Sequence, residues 1–472
     1  MKDDGQALLA QVPGPIIAVC RSLISGGYEA WLVGGAVRDL VLGRAAHDFD
    51  VATSAKPDEV TQVFGRRRVI PTGAAHGTVT VLVGEGEARA SIEVTTFRGE
   101  GAYSDGRRPD SVEFVSDLVE DLRRRDFTIN AIALHPIDGR LADPFEGRRD
   151  LEVRILRAVG DAVARFGEDG LRVMRAVRFA AQLDFALEPA TEAAIPGALD
   201  ILRKVSAERV RDELLKLLAA SRPSAGLRLM ATSGILGVVL PELVEGIGLH
   251  QNRYHSYDVW EHTVRAVDAT PAVEGDDLAI VRLGALLHDV AKPRTAAPKE
   301  GSPTENSFFG HDLVGADMSE LICRRLKLST RDRERVVALV RHHMFWYTPE
   351  WTGATVRRFI GRVGLDVLPS LFALRAGDVR SRGKDEDPGV EIDELKKRID
   401  DEVASARALK IADLAIGGTD VMRILDVKPG RIIGDVLKAL LERVLEEPAL
   451  NTVEALSALV PETARQCAEV KK

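Results

Sequence analysis

Trp31-Leu32-Val33-Gly34-Gly35-Ala36-Val37-Arg38-Asp39-Leu40, followed by His47-Asp48-Phe49-Asp50-Val51, is the stretch whose reading decides the fold. It runs buried strand, glycine pair, helix, second short strand. Two glycines at a strand–helix turn let the backbone approach a ligand closely, and the helix start that follows offers free N–H groups to a phosphate. Alternation along the second strand puts the Asp48 and Asp50 carboxylates on the same side. Two like charges held that close are costly unless a cation neutralises them, and Mg²⁺ with carboxylate and phosphate oxygens is the natural occupant. Two such ions activate an attacking hydroxyl and stabilise a leaving pyrophosphate. A D-x-D standing alone is commonly a solvated loop; the GGAVRD turn before it gives it weight.

Outward from this stretch, Gly77-Thr78-Val79-Thr80-Val81-Leu82-Val83 and Ser91-Ile92-Glu93-Val94-Thr95-Thr96-Phe97 alternate and are β-branched, which predicts a hairpin across Gly84–Gly86. Gly99 to Pro109 reads as a loop. Beyond about residue 150 helical spacing takes over, with Leu171, Met174, Val177 and Ala181 on one face, and Ser206 as the expected N-cap of a further helix. Pro293 to Pro303 reads as a loop, and Val427-Lys428-Pro429-Gly430-Arg431 as a turn between helices. The 472 residues suit two to four domains of about 100–200 residues. The expected divisions are 1–150, 151–250, 251–392 and 393–472.

Hydrophobic residues at 45% and charged residues at 29% describe a soluble globular chain. No apolar run reaches the roughly 18–20 residues of a membrane span, and MKDDGQALLAQVPGP lacks the basic start of a signal peptide. Cys20, Cys323 and Cys467 make neither a zinc spacing nor a disulfide framework. A cytoplasmic location is the expectation. The net charge of −8 argues against a general nucleic-acid coat but not against a local basic groove, for which Arg123 to Arg178 is the candidate.

Three further constellations carry chemistry. Arg123-Arg124-Arg125-Asp126-Phe127-Thr128-Ile129-Asn130-Ala131 joins arginines suited to phosphate with Asp and Asn suited to sugar hydroxyls. In Glu168-Asp169-Gly170-Leu171-Arg172-Val173-Met174-Arg175-Ala176-Val177-Arg178-Phe179, Asp169, Arg172 and Arg175 follow i, i+3, i+6, and Arg178 extends the series. The spacing predicts a stripe along one helix face. An Asp offers acceptors and an Arg a planar fork of donors, so the pair can imitate a Watson–Crick edge. A salt-bridged amphipathic helix is the plainer reading of the same pattern. The third constellation is His262, then Leu286-Leu287-His288-Asp289-Val290-Ala291-Lys292, then Asp378. An adjacent His–Asp supplies two ligands and the distant His and Asp complete a mixed N/O metal site. His311, His342 and His343 are candidates for a second metal site or for phosphate contacts. At least half of the ten histidines fall between residues 250 and 350.

Gly34-Gly35-Ala36-Val37-Arg38-Asp39 with Asp48-Phe49-Asp50 resembles the head of the class II tRNA nucleotidyltransferases, a branch of the polymerase-beta-like superfamily. Arg123 to Ala131 matches that family's RRDFTxNA motif. The resemblance implies an α+β protein: a head with a small mixed sheet and helices, then all-α neck, HD and tail domains. It implies a third carboxylate at Glu93 beside Asp48 and Asp50. Nucleotide binding is implied for Gly34, Gly35, Arg38, Arg125, Asp126 and Asn130. Asp169 and Arg172 would select CTP and ATP, with Arg175 and Arg178 on the triphosphate. The implied reaction adds or repairs the 3′-terminal CCA of tRNA from CTP and ATP without a nucleic-acid template, releasing pyrophosphate; neither DNA nor a membrane is an expected partner.

Arg98 to Pro109 resembles the family's flexible loop, which enzymes restricted to CC addition lack, so its presence favours full CCA or A-only addition. Glu208-Arg209 and Glu213 resemble a bracing motif. His262, His288, Asp289 and Asp378 follow the H…HD…D order of the HD superfamily, implying a phosphohydrolase with Mg²⁺, Mn²⁺, Ni²⁺ or another divalent ion. Ala412 to Gly434 resembles the tail of these enzymes, expected to hold the tRNA elbow or acceptor stem. Bacterial poly(A) polymerase shares the entire head and is the main competitor, although Phe64 to Val79 looks more like the nucleotidyltransferase version. An A-adding enzyme, an HD phosphohydrolase with a degenerate transferase head, and a non-catalytic RNA-binding protein are the remaining alternatives.

Overall fold

The computed structural model describes residues 5–84, 90–99, 113–299, 305–405 and 410–469. The chain divides into two compact units, Met1–Val244 and Glu245–Lys472.

The first unit is built on a mixed sheet of seven strands: β1 (Ala30–Val33), β2 (Asp50–Thr53), β3 (Val69–Gly73), β4 (Thr78–Val83), β5 (Ala90–Thr96), β6 (Ala133–Leu134) and β7 (Leu141–Ala142), in the order β3-β4-β5-β2-β1-β6-β7. Their pairing is antiparallel except for β2 with β5, where Val51 sits beside Val94. The hairpin read from alternation forms as β4 and β5, with Thr80 opposite Glu93 and Val81 opposite Ile92. Val79, Val81, Ile92 and Val94 turn into the core, so Glu93 is left on the open face. Central β1 and β2 are apolar almost throughout because both of their faces are covered. Trp31, Val33, Ala52, Phe97, Leu118 and Leu122 form one buried cluster against them.

Several expectations are corrected. β2 starts at Asp50, and Asp48 lies before it with φ +52°, so the two aspartates do not alternate on one strand. The left-handed residue turns the chain sharply into the strand, a conformation that Asp tolerates better than most side chains. The divisions at 150 and 392 fall inside the helices Gly147–Val153 and Gly389–Ser405. Strand pairing also persists past residue 150, where Ile155–Leu156 runs parallel to Ala186–Leu187. Ser206 stands at the N-cap of the helix Ala207–Leu218 without a side-chain capping bond. Within 293–303, the helix Lys292–Thr295 is followed by Ala297–Pro298, which pairs with Asn306–Ser307. Most of the expected Gly99–Pro109 loop lies outside the described residues.

The second unit is mainly helical. Val259–Ala269 packs on Leu368–Arg380, and Leu278–Leu287 packs on Thr330–His342. Leu414, Ile416, Val421, Val436, Leu440 and Leu456 form a separate buried cluster toward the C-terminus. Among the described residues, no helix is long and apolar enough to cross a membrane.

The first of these crossings depends on Gly377, one residue before Asp378. A Cβ there would lie 2.7 Å from the Ala266 carbonyl oxygen and press on Thr270 Oγ1. Gly377→Ala is therefore expected to cost about 1–3 kcal/mol by overpacking, read as a lower melting temperature. An unchanged melting temperature would show that the two helices separate freely.

Candidate functional site

Gly34 adopts φ +82° at the end of β1, and a Cβ there would lie 3.4 Å from Asp50 Oδ2 and 3.3 Å from Arg125 Nη1. Glycine is required both for the backbone turn and for the close approach of a carboxylate and a guanidinium. Asp50 and Glu93 stand on neighbouring strands at the rim of a cavity of about 610 Å³. Partial desolvation and the Glu93 and Asp48 carboxylates raise Asp50 above its ordinary range, with Arg125 opposing. Because solvent still reaches the Asp50 side chain, the like charges are the firmer cause.

Eight arginines also line this cavity: Arg38, Arg98, Arg124, Arg125, Arg172, Arg175, Arg178 and Arg209. Buried carboxylates and one ring hold them in place. Asp126 accepts from Arg175 Nε at 2.6 Å and from Asn130 Nδ2 at 3.1 Å, and Asn130 Oδ1 accepts from Arg38 Nη1 at 2.9 Å. Glu213 accepts from Arg178 Nε at 2.5 Å. Asp121 accepts from both Arg124 and Arg125, which hold it below its ordinary range although burial alone would raise it. The Phe179 ring is approached by the guanidiniums of Arg38, Arg175 and Arg178 at 5.2, 5.3 and 3.9 Å, and packs edge-on against Phe127.

Gly34, Gly35, Arg38, Asp50, Glu93, Arg125, Asp126, Asn130, Asp169, Arg172, Arg175 and Arg178 all line this one cavity, whereas Asp48 does not. The expected four-residue stripe is corrected at its first member. The helix runs Leu171–Leu183, and Asp169 precedes it in extended backbone at φ −143°. Asp169 instead accepts from Arg209 Nη2 at 2.6 Å, and Arg172 donates to the carbonyls of Arg165 and Arg124 at 2.8 and 2.9 Å. Sequence reading assigned no role to Phe179. A bulky aromatic closing an arginine-rich helix face was the available signal.

In the second unit, His262, His288, Asp289 and Asp378 come together, joined by His255, His311 and His343. Asp289 Oδ2 lies 3.1 Å from His288 Nε2 and 3.4 Å from His262 Nε2; its Oδ1 lies 3.4 Å from His311 Nε2 and 3.8 Å from His343 Nε2. Asp378 Oδ1 is 3.3 Å from His262 Nε2. His342, the other expected histidine, lies outside these groups. It neighbours His343 at the end of a helix, where consecutive side chains point about 100° apart and only one can face inward.

The donor set fits a divalent cation. The Nδ1 atoms of His288, His311 and His343 each sit 2.7 Å from a backbone carbonyl, which can only accept. In its neutral form each of these rings carries its hydrogen outward and aims the Nε2 lone pair at the cluster. Ser381 Oγ, which donates to the Asp378 carbonyl, holds His262 Nδ1 in the same sense at 2.9 Å. Both aspartates are held well below their ordinary range: burial opposes this, but histidines with Lys292 at Asp289, and histidines with Arg382 at Asp378, prevail. His343 is driven down to about 3 by burial and by His288 and His311. Asp289 Oδ2 is 2.6 Å from Lys292 Nζ, yet the approach is too oblique for a hydrogen bond, and that oxygen stays unsatisfied. A cavity of about 310 Å³ opens onto the cluster, with Lys292, Arg382 and Phe309 on its walls.

Comparison with known proteins agrees with this division of labour. Residues 30–157 match the poly A polymerase head domain, 184–246 the probable RNA and SrmB-binding site of polymerase A, and 252–413 the HD domain. These matches define the class: a nucleotidyltransferase head joined to an HD domain. The solved CCA-adding enzyme of Bacillus stearothermophilus, in complex with CTP, is 30% identical, with a TM-score of 0.72 over 97% of this chain and 100% of that one. The chain belongs to the CCA-adding enzyme family. The CCA-adding enzyme of Lactobacillus johnsonii is 51% identical over 227 residues, which are 48% of this chain and 55% of that protein. The matched region thus spans about half the length of this curated relative. The Thermotoga maritima CCA-adding enzyme complexed with tRNA, 20% identical with a TM-score of 0.59 over 97% of this chain, shares the fold.

Asp126 is held down to about 2 against an ordinary 3.8; burial would raise it, but Arg175 and Asn130 prevail. A depressed carboxylate contributes stability that is present above about pH 4 and lost as the pH falls toward 2. Asp126→Asn is expected to lower stability at neutral pH and to flatten the acid-unfolding curve across that window. An acid limb unchanged by the substitution would show that the network does not depend on this charge.

Proposed function

We propose that this chain adds or repairs the 3′-terminal CCA of tRNA, joining CMP and AMP units from CTP and ATP to the 3′ hydroxyl and releasing pyrophosphate. The observation that carries this reading is one cavity lined by Asp50, Glu93, Asp169 and eight arginines, Arg172 among them. The full-length likeness to a CTP-bound CCA-adding enzyme supports the nucleotide, and the tRNA complex of a more distant member supports the acceptor.

The arginines neutralise and orient the triphosphate, bringing its α-phosphorus to the Asp50–Glu93 edge. Asp48, Asp50 and Glu93 would hold Mg²⁺, which supplies charge neutralisation at the α-phosphate when bound. The 3′ oxygen forms a bond to that phosphorus as the bond to the β-phosphate oxygen breaks. Asp169 and Arg172 present acceptors and donors to the base edge, their rotamers fixed by Arg209 and by the carbonyls of Arg165 and Arg124. The His262, His288, Asp289 and Asp378 cluster would hold a divalent ion, and its imidazoles, with those of His311 and His343 beside them, suit a transition metal better than Mg²⁺. A phosphohydrolase activity there is part of the proposal, as is action in the cytoplasm.

Incubation with tRNAs ending before C, after CC and after CCA, with CTP and ATP offered separately, tests the reading directly. Ordered addition of C, C and A that then stops is expected; A-only addition or a continuing A run would replace it with A-adding or poly(A) activity. Asp50→Ala is expected to abolish incorporation, and Arg172→Ala to blur CTP/ATP choice more than it slows transfer. Selectivity untouched by Arg172→Ala would mean that the base is read elsewhere.

The metal centre is checked by elemental analysis of the purified protein. Wild type should retain a transition metal, while His288→Ala and Asp289→Asn lose it and keep nucleotide addition. Loss of addition with the metal would make the centre a support of the fold.

A further inference from the structure

Between the helix Pro57–Phe64 and β3, Arg66, Arg67 and Arg68 stand side by side in an exposed turn. We propose that this turn is a docking point for the sugar–phosphate backbone of the RNA substrate, a proposal that rests on the transfer reading above.

Charge is the first consideration. The chain holds 72 Asp and Glu against 64 Lys and Arg, and exposed arginines elsewhere on it find carboxylates, as Arg149 does in Glu146 and Arg203 in Asp200. Among the described residues, none pairs with or accepts a hydrogen bond from the Arg66, Arg67 or Arg68 side chain. The strands beside them, β3 and β4, carry no charged residue at all. Three adjacent like charges without a counter-charge on the protein make a local positive field, and a polyanion is the partner such a field collects.

The backbone keeps that charge in a fixed place. Gly65, at φ +79°, ends the helix, and the turn closes with Arg68 N donating to the Gly65 carbonyl at 3.0 Å. The Arg68 carbonyl accepts from Leu82 N at 2.8 Å, which fastens the turn to β4. Register then relates the turn to the carboxylates. Val69 opposes Val81 and Val81 opposes Ile92, while Ile70 opposes Thr80 and Thr80 opposes Glu93. The turn therefore sits at the end of the sheet where β2 and β5 begin. Three strand spacings of about 4.8 Å put it roughly 14 Å from the Asp50 strand across the sheet. Between them the open face carries Ile70, 43% exposed, and the Thr72 and Thr80 hydroxyls, bonded to each other at 2.9 Å. An RNA strand under extension at the Asp50–Glu93 edge can lay its upstream phosphates on the arginines without crossing another carboxylate of β3 or β4.

A free nucleotide is the other source of phosphate. Its triphosphate is already matched by the eight arginines of the cavity, and none of Arg66, Arg67 and Arg68 lines that cavity. The turn thus fits phosphodiesters, held by charge and without regard to base sequence.

The test uses the full chain with Arg66→Gln, Arg67→Gln and Arg68→Gln combined; all three side chains are exposed, so the core is untouched. Binding of tRNA lacking its CCA end is measured over a range of salt concentrations. The slope of log affinity against log salt is expected to fall by about one for each arginine engaged, up to about three. The acceptor KM should rise about tenfold, while kcat at saturating RNA, the CTP Kd and the melting temperature keep their wild-type values. The corresponding triple Lys variant should keep the wild-type slope, because a phosphate can be met by a point charge. A Lys variant as weak as the Gln one would make the effect one of packing and overturn the proposal. So would an unchanged slope and KM in the folded Gln variant, or a raised CTP Kd, which would assign the turn to the nucleotide. Wild-type protein that extends no RNA would instead sink the transfer reading, and this proposal with it; that outcome is distinct because the wild type itself is then inactive.

Discussion

The first unit depends on one buried carboxylate. Asp126 is shielded from solvent and ionised, a state that is costly unless the charge is fully paired and hydrogen-bonded. Arg175 and Asn130 complete it, and Asn130 passes the connection to Arg38. Through that chain the helix after the glycine turn, the Arg123–Ala131 segment and the helix Leu171–Leu183 are tied at a single point. Eight arginines crowded round one cavity would otherwise repel one another. Asp121, Asp126 and Glu213 supply the opposing charge from behind, and the Phe179 ring offers its negative face to three guanidiniums at once. Those carboxylates and the ring fix the arginines where they line the cavity.

Asp289 solves a related problem in the second unit by different means. Its two oxygens divide between His262 and His288 on one side and His311 and His343 on the other. Guanidiniums fix the buried charge in the first unit; here the partners are imidazoles whose Nε2 atoms face inward, together with an ill-aligned Lys292. Such an arrangement is poorly compensated by protein alone, which is why its chemistry points to a cation. In the first unit Asp121, Asp126 and Glu213 are each hydrogen-bonded to guanidiniums, whereas Asp289 Oδ2 lacks a hydrogen-bond partner.

Motifs made of adjacent residues were legible in the sequence; contacts between distant segments were not. Gly34, the β4–β5 hairpin and His288-Asp289 follow from local chemistry, since a strand–turn–helix needs its glycine and alternation fixes which side chains share a face. The stripe from Asp169 to Arg178 assumed that the helix extends through Asp169, whereas Arg209, forty positions later, captures that carboxylate in extended backbone. Spacing alone cannot show that competition. The choice between His342 and His343 turns on the rotation of a helix end, and the participation of His255 on how its segment folds back. Residues 150 and 392 lie inside the helices Gly147–Val153 and Gly389–Ser405, which local composition does not reveal.

Asp48 shows most clearly why local reading fell short in a useful way. Read as a strand residue, it duplicates Asp50, and the motif becomes two equivalent carboxylates. Its left-handed backbone removes that equivalence: Asp50 lines both the arginine-rich cavity and a second one of about 630 Å³, and Asp48 only the second. A positive φ on a non-glycine residue costs of order 1–3 kcal/mol and persists where the surroundings impose it. The turn into β2 imposes it here, with Phe49 buried between the two aspartates as the anchor. The apolar residue inside the D-x-D is therefore as much a part of the device as the acids. It holds one carboxylate on the strand, beside the arginines, and the other off the strand, before it begins.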